Sequence, residues 1–547
     1  MRARVVKSVR SLSALGIVLL TLGSVAVAAD LGTEAQKAAG KVLYDKYCAQ
    51  CHGDKGDADT PAAAYYKPRP RDFTSAKYKV RMTPNGELPL DSDIARAIKL
   101  GLAFNSHGAY TVMPPWPTFS DEQIQNLVYY LKTFSVDFAD PDYNNPSAIS
   151  IGSPIASGEE SVKRGREVFE GNECIKCHGD LGRGDGRSAP TLEDDWGNHV
   201  RPVDLTKRWT FRGGGSREDI FRTISTGFNG TPMPSYADTV SEEDRWHLVN
   251  YIYSLSDSDL PNYSQPDKPI RLTPIDATVD MSDIAKARES FSTAPEAIIP
   301  VVGQVIEPGR ALYPGANELR VRAVYNDEEV AFLLSWHDMS AETSGDNTPD
   351  MEVPMFEGDV VEESDDPFGE DEEEEEDPFA EEEEGSSFAD AVAIQIPSQL
   401  ESGCVKPYFI FGDSQRSVDL LFVNLASKSA KMYTGRGSDN LSEREEPSFK
   451  SIAEYKDGKW SVVVSRARIV ENGVSFDSDG AFVPVAFSVW DGFEEERGNK
   501  RGLTSWFSLY QEPREKPSAI KPMLMYGIGL LLLELLVVWW VRRRCAR

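Results

Sequence analysis

Cys48-Ala49-Gln50-Cys51-His52 and Cys174-Ile175-Lys176-Cys177-His178 each set two thiols and an imidazole within five residues. A zinc site would need two further ligands at suitable spacing, and none stands near either unit. A thioredoxin-type site needs a strand–helix–strand setting and has no use for the histidine. C-x-x-C-H does serve a third chemistry. Two thiols reach the two vinyl groups of one haem, while the adjoining imidazole meets the iron from one face. The spacing therefore predicts two covalent haem c groups, with His52 and His178 as proximal ligands. A sixth ligand has to come from later in the chain. Met113 and Met233 lie 61 and 55 residues after those histidines, each ahead of a proline. A thioether there favours ferrous iron and raises the potential. His107 is the rival in the first unit, and His199 a weaker one in the second. Arg69, Arg71 and Arg201 suit haem propionates, since a guanidinium grips carboxylates bidentately; ordinary surface arginines are the other reading.

The elements that must position these groups are also duplicated. "RPRDFT" (69–74) returns as "RPVDLT" (201–206), "SDIARAIKLG" (92–101) as "EDIFRTISTG" (218–227), and "VMPPW" (112–116) as "PMPSY" (232–236). "SDEQIQNLVYYLKTF" returns as "SEEDRWHLVNYIYSL", with Ser120 and Ser241 as N-caps and apolar residues at helical spacing. Residues 34–138 and 161–258 are read as two copies of one helical module. The stretch 139–160, rich in Asn, Pro, Ser and Gly, is a linker.

The ends place the chain at a membrane. Arg2, Arg4, Lys7 and Arg10, an apolar run and Ala26-Val27-Ala28 make residues 1–28 an export signal. Residues 523–541 are apolar apart from Glu534, and Arg542 to Arg544 follow. That is the length of one membrane span, with its C-terminal side cytoplasmic. The net charge of −30 is largely local: 362–384 holds 16 acidic residues and no basic one. Residues 357–386 are therefore expected to be a disordered acidic insertion. The sign of the charge disfavours nucleic acid as a partner. Four of six cysteines belong to the two C-x-x-C-H units, and the span separates Cys404 from Cys545.

Between 266 and 512 the periodicity becomes that of strands, as in "ELRVRAVYNDEEVAFLLSW", with Asn326-Asp327 as a turn, and in "SVDLLFVN". Many short strands point to a β-sandwich.

Two resemblances follow from these motifs. Gly40 to Phe134 and Gly165 to Leu255 each resemble a class I cytochrome c domain, which implies low-spin His/Met haem and electron transfer. "WHD", "DAVAIQIP", "KPYFIFGD" and "VWDGFEEERGNKRGLTSWFSLY" resemble the haem-b-binding gamma subunits of ethylbenzene dehydrogenase and related periplasmic molybdenum enzymes. That second resemblance implies a sandwich holding haem b between a methionine and a lysine. Lys500 matches the lysine position. The methionine position falls where this chain has Ile410 and Phe411, neither of which binds iron; Met355, Met432 and His337 are the alternatives.

The expected chain is thus two all-α cytochrome c domains, an all-β sandwich with an acidic insertion, and one transmembrane helix. Its expected role is a periplasmic electron-transfer subunit of the inner membrane with two haem c groups and one candidate haem b. The second resemblance implies molybdopterin and iron–sulfur partner subunits. A dihaem peroxidase, which would need an open sixth position, and a scaffold using the sandwich only for docking are the alternatives.

Overall fold

The computed structural model describes residues 30–66, 68–102, 113–141, 143, 146–256, 262–311, 313–353, 388–401, 405–515 and 520–545. The export signal, the acidic insertion, His107, Met355 and Cys404 lie outside these residues.

The first module consists of α1 (Glu34–Tyr47), α2 (Ala49–His52), α3 (Asp91–Leu100) and α4 (Asp121–Leu131). The second repeats it as α5 (Glu159–Gly171), α6 (Ile175–His178), α7 (Arg217–Thr226) and α8 (Glu242–Ser254). Ser120 caps α4 in a reciprocal box with Gln123, and the Ser241 hydroxyl accepts from the Asp244 amide at the start of α8. Such a cap satisfies an amide that the helix itself leaves unpaired. In each copy the first helix crosses the last at a glycine. A β-carbon on Gly40 would run into the Asn126 carbonyl, and one on Gly165 into the His247 carbonyl. Tyr44, Leu127 and Val128 fill the first core; Phe169, Phe221, Trp246 and Val249 fill the second. Burying each such side chain contributes roughly 1.5–3 kcal/mol.

The two modules pack on one another. Arg81, almost wholly buried, donates to the Thr226 carbonyl (2.8 Å) at the end of α7. Arg96 pairs with Asp219 at 3.0 Å, Lys77 with Asp195, and the Trp196 indole donates to Asp72 at 3.0 Å.

The C-terminal part is a large mixed-sheet domain. In chain order its strands are β1 (Ile270–Pro274), β2 (Ala297–Pro300), β3 (Val302–Gly303), β4 (Glu318–Tyr325), β5 (Glu329–His337), β6 (Ala391–Pro397) and β7 (Val418–Asn424). β8 (Ser429–Gly435), β9 (Leu441–Arg444), β10 (Lys450–Tyr455), β11 (Lys459–Ala467), β12 (Phe482–Trp490), β13 (Gly502–Leu503) and β14 (Phe507–Gln511) follow. The main path runs β10-β11-β5-β4-β1-β14-β12-β6-β7-β8-β9. β12 is the seam: Phe482 to Val485 pair with β14, and Ala486 to Trp490 pair with β6. A strand that changes partners in this way lets the sheet fold over itself. The enclosed core holds Phe332, Trp336, Trp460, Leu421 and Phe487.

Two details add to the expected all-β sandwich. β1 runs parallel to both β4 and β14. A short helix, α9 (Ile284–Glu289), is capped by Asp283 and packs Ile284 and Ala287 against Val324 and Val463 of the sheet.

The last element, α10 (Ile520–Cys545), contains a candidate span, Met523–Cys545, whose most apolar stretch has mean hydropathy 2.1 and no burial against the rest of the chain. By length and composition it can cross a membrane. Arg543 and Arg544 lie 4.3 and 4.2 Å over the rings of Trp539 and Trp540 at its end, as interfacial side chains do.

Candidate haem sites and the junction of three domains

Each C-x-x-C-H unit occupies a tight turn of helix after the first helix of its module. The turn closes on Gly53 or Gly179, both at positive φ (77° and 74°). His52 is buried, and its ring stacks on Phe73 with centroids 4.5 Å apart. His52 Nδ1 lies 2.9 Å from the Arg71 carbonyl, and His178 Nδ1 lies 3.2 Å from the Val203 carbonyl. Arg71 and Val203 are equivalent positions of the repeated R-P-x-D loop. The carbonyl can only accept, so Nδ1 carries the proton and Nε2 keeps its lone pair for a metal. Burial lowers both imidazoles, His52 to about 4, which keeps them neutral as ligands must be. Burial also pushes the Cys48 and Cys174 thiols up to about 11, as expected of thiols sheltered against a core.

The methionines are positioned by a second repeated device. α3 and α7 end at Gly101 and Gly227, with φ of 70° and 63°. A β-carbon at either would sit 2.8 Å from the carbonyl of Met113 or Met233. Three residues beyond each methionine, the Trp116 amide donates to the Ile98 carbonyl (3.1 Å) and the Tyr236 amide to the Ile224 carbonyl (3.0 Å). The methionine-bearing loops are thereby laced to these helices by equivalent bonds.

In the second module the result is a cavity of about 800 Å³ with Cys174, Cys177 and His178 on one wall and Met233 among the residues lining it. Phe169, Phe211, Ile220, Ile224, Leu248 and Ile252 make it apolar. Ligand cavities are typically about 300–1,000 Å³ and apolar with a few polar groups. The donor set, the volume and the lining therefore fit haem.

Charge supplies a second test of fit. Lys79 and Arg212 line this cavity, and neither has a carboxylate within ion-pair distance among the described residues. Burial, with Arg71 and Arg212 nearby, lowers Lys79 to about 7; burial lowers Arg212 to about 10. Arg71 itself stacks on Trp196 at 4.7 Å. Lys79 and Arg71 come from the first module and Arg212 and Trp196 from the second, so these cations stand where the two modules meet. Sheltered positive groups of this kind suit haem propionates. Neither Lys79 nor Arg212 stood out in the sequence, because the cluster assembles only when the two modules pack.

Other sequence candidates are placed differently. Arg69 is exposed. Arg201 lines the cavity, but its guanidinium binds the sheet domain: Asp491 at 2.8 Å, Glu494 at 3.0 Å and the Gly315 carbonyl at 3.3 Å. His199 Nε2 lies 3.1 Å from the Ala189 carbonyl, and its ring meets Phe493. His247 bridges α5 and α8 through Ser161 (2.8 Å). His337 belongs to the sheet domain yet borders the same cavity, 3.8 Å from Asp185 of the second module.

The haem b candidates do not converge. Lys500 lies in a turn beside Glu495, at 3.8 Å. Ile410 and Phe411 are fully buried, and the Arg501 guanidinium covers the Phe411 ring at 3.7 Å. Met432 is a core residue whose sulfur accepts from Arg444 at 3.2 Å.

Comparison with known proteins agrees with the helical part. Residues 35–131 and 160–252 match the family described as cytochrome C oxidase, cbb3-type, subunit III. Both modules are cytochrome c domains, and such domains bind haem c. A Haloferax mediterranei protein provisionally described as a respiratory nitrate reductase haem subunit is 25% identical over 153 residues. That match spans 28% of this chain and about half of the relative (54%). Among solved structures, one chain of a reducing HAO-like protein complex of Kuenenia stuttgartiensis is 41% identical (TM-score 0.37), covering 40% of this chain and 96% of that one. A family 9 carbohydrate-binding module of Caldicellulosiruptor kristjanssonii in complex with glucose is 10% identical (TM-score 0.24), covering 46% and 100%.

Proposed function

We propose that this chain is the membrane-anchored dihaem electron-transfer subunit of a periplasmic oxidoreductase complex. The observation that carries the reading is the second cavity. His178 and Met233 border one apolar space, and residues of the first module and of the sheet domain complete its wall. Bound haem c supplies reversible one-electron iron chemistry there. The chain's own residues do the rest. Cys48, Cys51, Cys174 and Cys177 tether, His52/Met113 and His178/Met233 ligate, and the R-P-x-D carbonyls hold each imidazole in its tautomer. The cations between the modules offset propionate charge. The apolar walls exclude water, which favours the less charged ferrous state.

The sheet domain is read as the docking element for catalytic partners, a molybdopterin subunit with an iron–sulfur subunit, and α10 as the anchor that leaves the C-terminus cytoplasmic. Since Ile410, Phe411 and Arg501 fill the place where a haem b methionine would stand, we propose two haem c groups and no haem b. A pyridine haemochromogen assay on intact protein extracted from membranes tests this, with two c-type haems and no b-type haem per chain expected. One b haem would reinstate the Lys500 site; fewer than two c haems would overturn the reading. Co-purification without any redox subunit would overturn the assignment to a complex.

A further inference from the structure

Three aspartates from three separate strand ends meet inside the sheet domain. Asp338 follows β5, Asp390 precedes β6 and Asp491 follows β12, and one carboxylate oxygen of each lies within 4.8 Å of the others. They are 3%, 0% and 1% exposed. These are the aspartates of "WHD", "DAVAIQIP" and "VWDG", motifs that the electron-transfer reading leaves without a task.

Two of the three are held by neutral donors or by Arg201. Asp390 accepts from the Gly492 amide (2.8 Å), the Glu342 amide (2.9 Å) and the Trp460 indole (3.0 Å). Asp491 accepts from the Glu494 amide and from Arg201 of the second cytochrome domain. Asp338 differs: both of its carboxylate oxygens are buried without a hydrogen-bond donor, as is Oε2 of the neighbouring Glu342. A buried carboxylate that nothing protonic approaches is costly unless a cation meets it. Arg201 is the cation that the structure brings to this patch, and it serves Asp491 and Glu494 on the outer side. Burial and mutual repulsion accordingly raise Asp338 well above the carboxylate range and Asp390 to about 8.

We propose that Asp338, Asp390, Asp491 and Glu342 form a binding site for one calcium ion. The donors are all oxygen, which selects a hard cation over zinc or copper. Calcium–oxygen distances of about 2.3–2.6 Å put two ligands up to roughly 5 Å apart across the ion, and the aspartate spacing suits that. The ion ties the ends of β5, β6 and β12 together directly beneath the contact with Arg201. It therefore stiffens the surface on which the second cytochrome domain sits.

The test uses the full chain in detergent, stripped with EDTA and dialysed, with CaCl2 and MgCl2 as probes. Metal analysis should find one tightly held calcium per chain, and saturating CaCl2 should raise the melting temperature by roughly 5–10 °C. Asp338→Asn should abolish both effects while the β-sheet signal in far-ultraviolet circular dichroism persists, which shows that the sheet domain of the variant folds. Should that variant not fold, Glu342→Gln should weaken calcium binding at least tenfold. The acidic run at 362–384 can also attract calcium, but that binding would survive both substitutions. Retained tight binding in both variants, no calcium in the wild type, or a response to MgCl2 alone would overturn the site.

Discussion

At the scale of residues, the chemistry lies in groups whose partners are set by the fold. C-x-x-C-H is legible in a linear sequence because both thiols and the imidazole sit on one turn. The partner of each imidazole is not. Arg71 and Val203 share no side-chain property; they share a backbone carbonyl in a repeated loop, and only packing brings it to Nδ1. The cation cluster was hidden for the same reason, since Lys79 and Arg212 come from different modules. A positive charge near haem favours the reduced state, so removing one lowers the potential. Arg212→Gln is expected to lower one haem midpoint by roughly 50 mV, taking a charge within about 10 Å at a moderate effective dielectric. Redox titration checks this; an unchanged midpoint would place Arg212 away from the propionates. Met233→His is expected to lower the midpoint further, with a bis-histidine spectrum.

At the scale of elements, glycines do the positioning. Gly40 and Gly165 were visible as repeated letters at the start of the aligned segments, but their purpose is a backbone-to-backbone crossing of first and last helix. Gly165→Ala should cost about 1–3 kcal/mol or more, because the obstacle is the His247 carbonyl and not a movable side chain. Thermal unfolding followed at the second haem should show the loss, and an unchanged midpoint temperature would mean that the helices can part freely. Gly227→Ala acts on the ligand loop: its backbone stands at φ 63° and its β-carbon would press on the Met233 carbonyl. We expect weaker sixth-ligand binding there, read as an added high-spin fraction in the absorption spectrum. The helical modules were the most readable elements, since capping and spacing agree. In the sheet domain the strands were readable singly, as alternating or buried runs. Their order was not, because a strand such as β12 changes partner midway and nothing in "FVPVAFSVW" marks Val485 as the seam.

At the scale of the whole molecule, the question is what makes three domains one electron-carrying body. The second haem cavity is completed by residues of all three, so their relative placement matters for function as well as for stability. Arg201 is the strongest single tie from the cytochrome pair to the sheet domain. It reaches Asp491, 1% exposed, and Glu494, 8% exposed, while its own side chain is 30% exposed. Buried pairs of this kind are seldom a net source of stability, yet breaking one leaves carboxylates without their counter-charge, at a cost of about 3–5 kcal/mol. Arg201→Ala should therefore weaken the docking while each domain keeps its own core. Scanning calorimetry of the intact chain is expected to resolve two transitions, one for the cytochrome pair and one for the sheet domain, where the native chain gives one. Both c-type haems should remain, since neither attachment uses Arg201. A single transition at the native temperature would mean that other contacts, among them Lys207 with Asn317 (3.3 Å), Arg183 with the Asp457 carbonyl and His337 with Asp185 (3.8 Å), suffice to hold the junction. Two transitions would identify one guanidinium as the fastening between the cytochrome pair and the sheet domain.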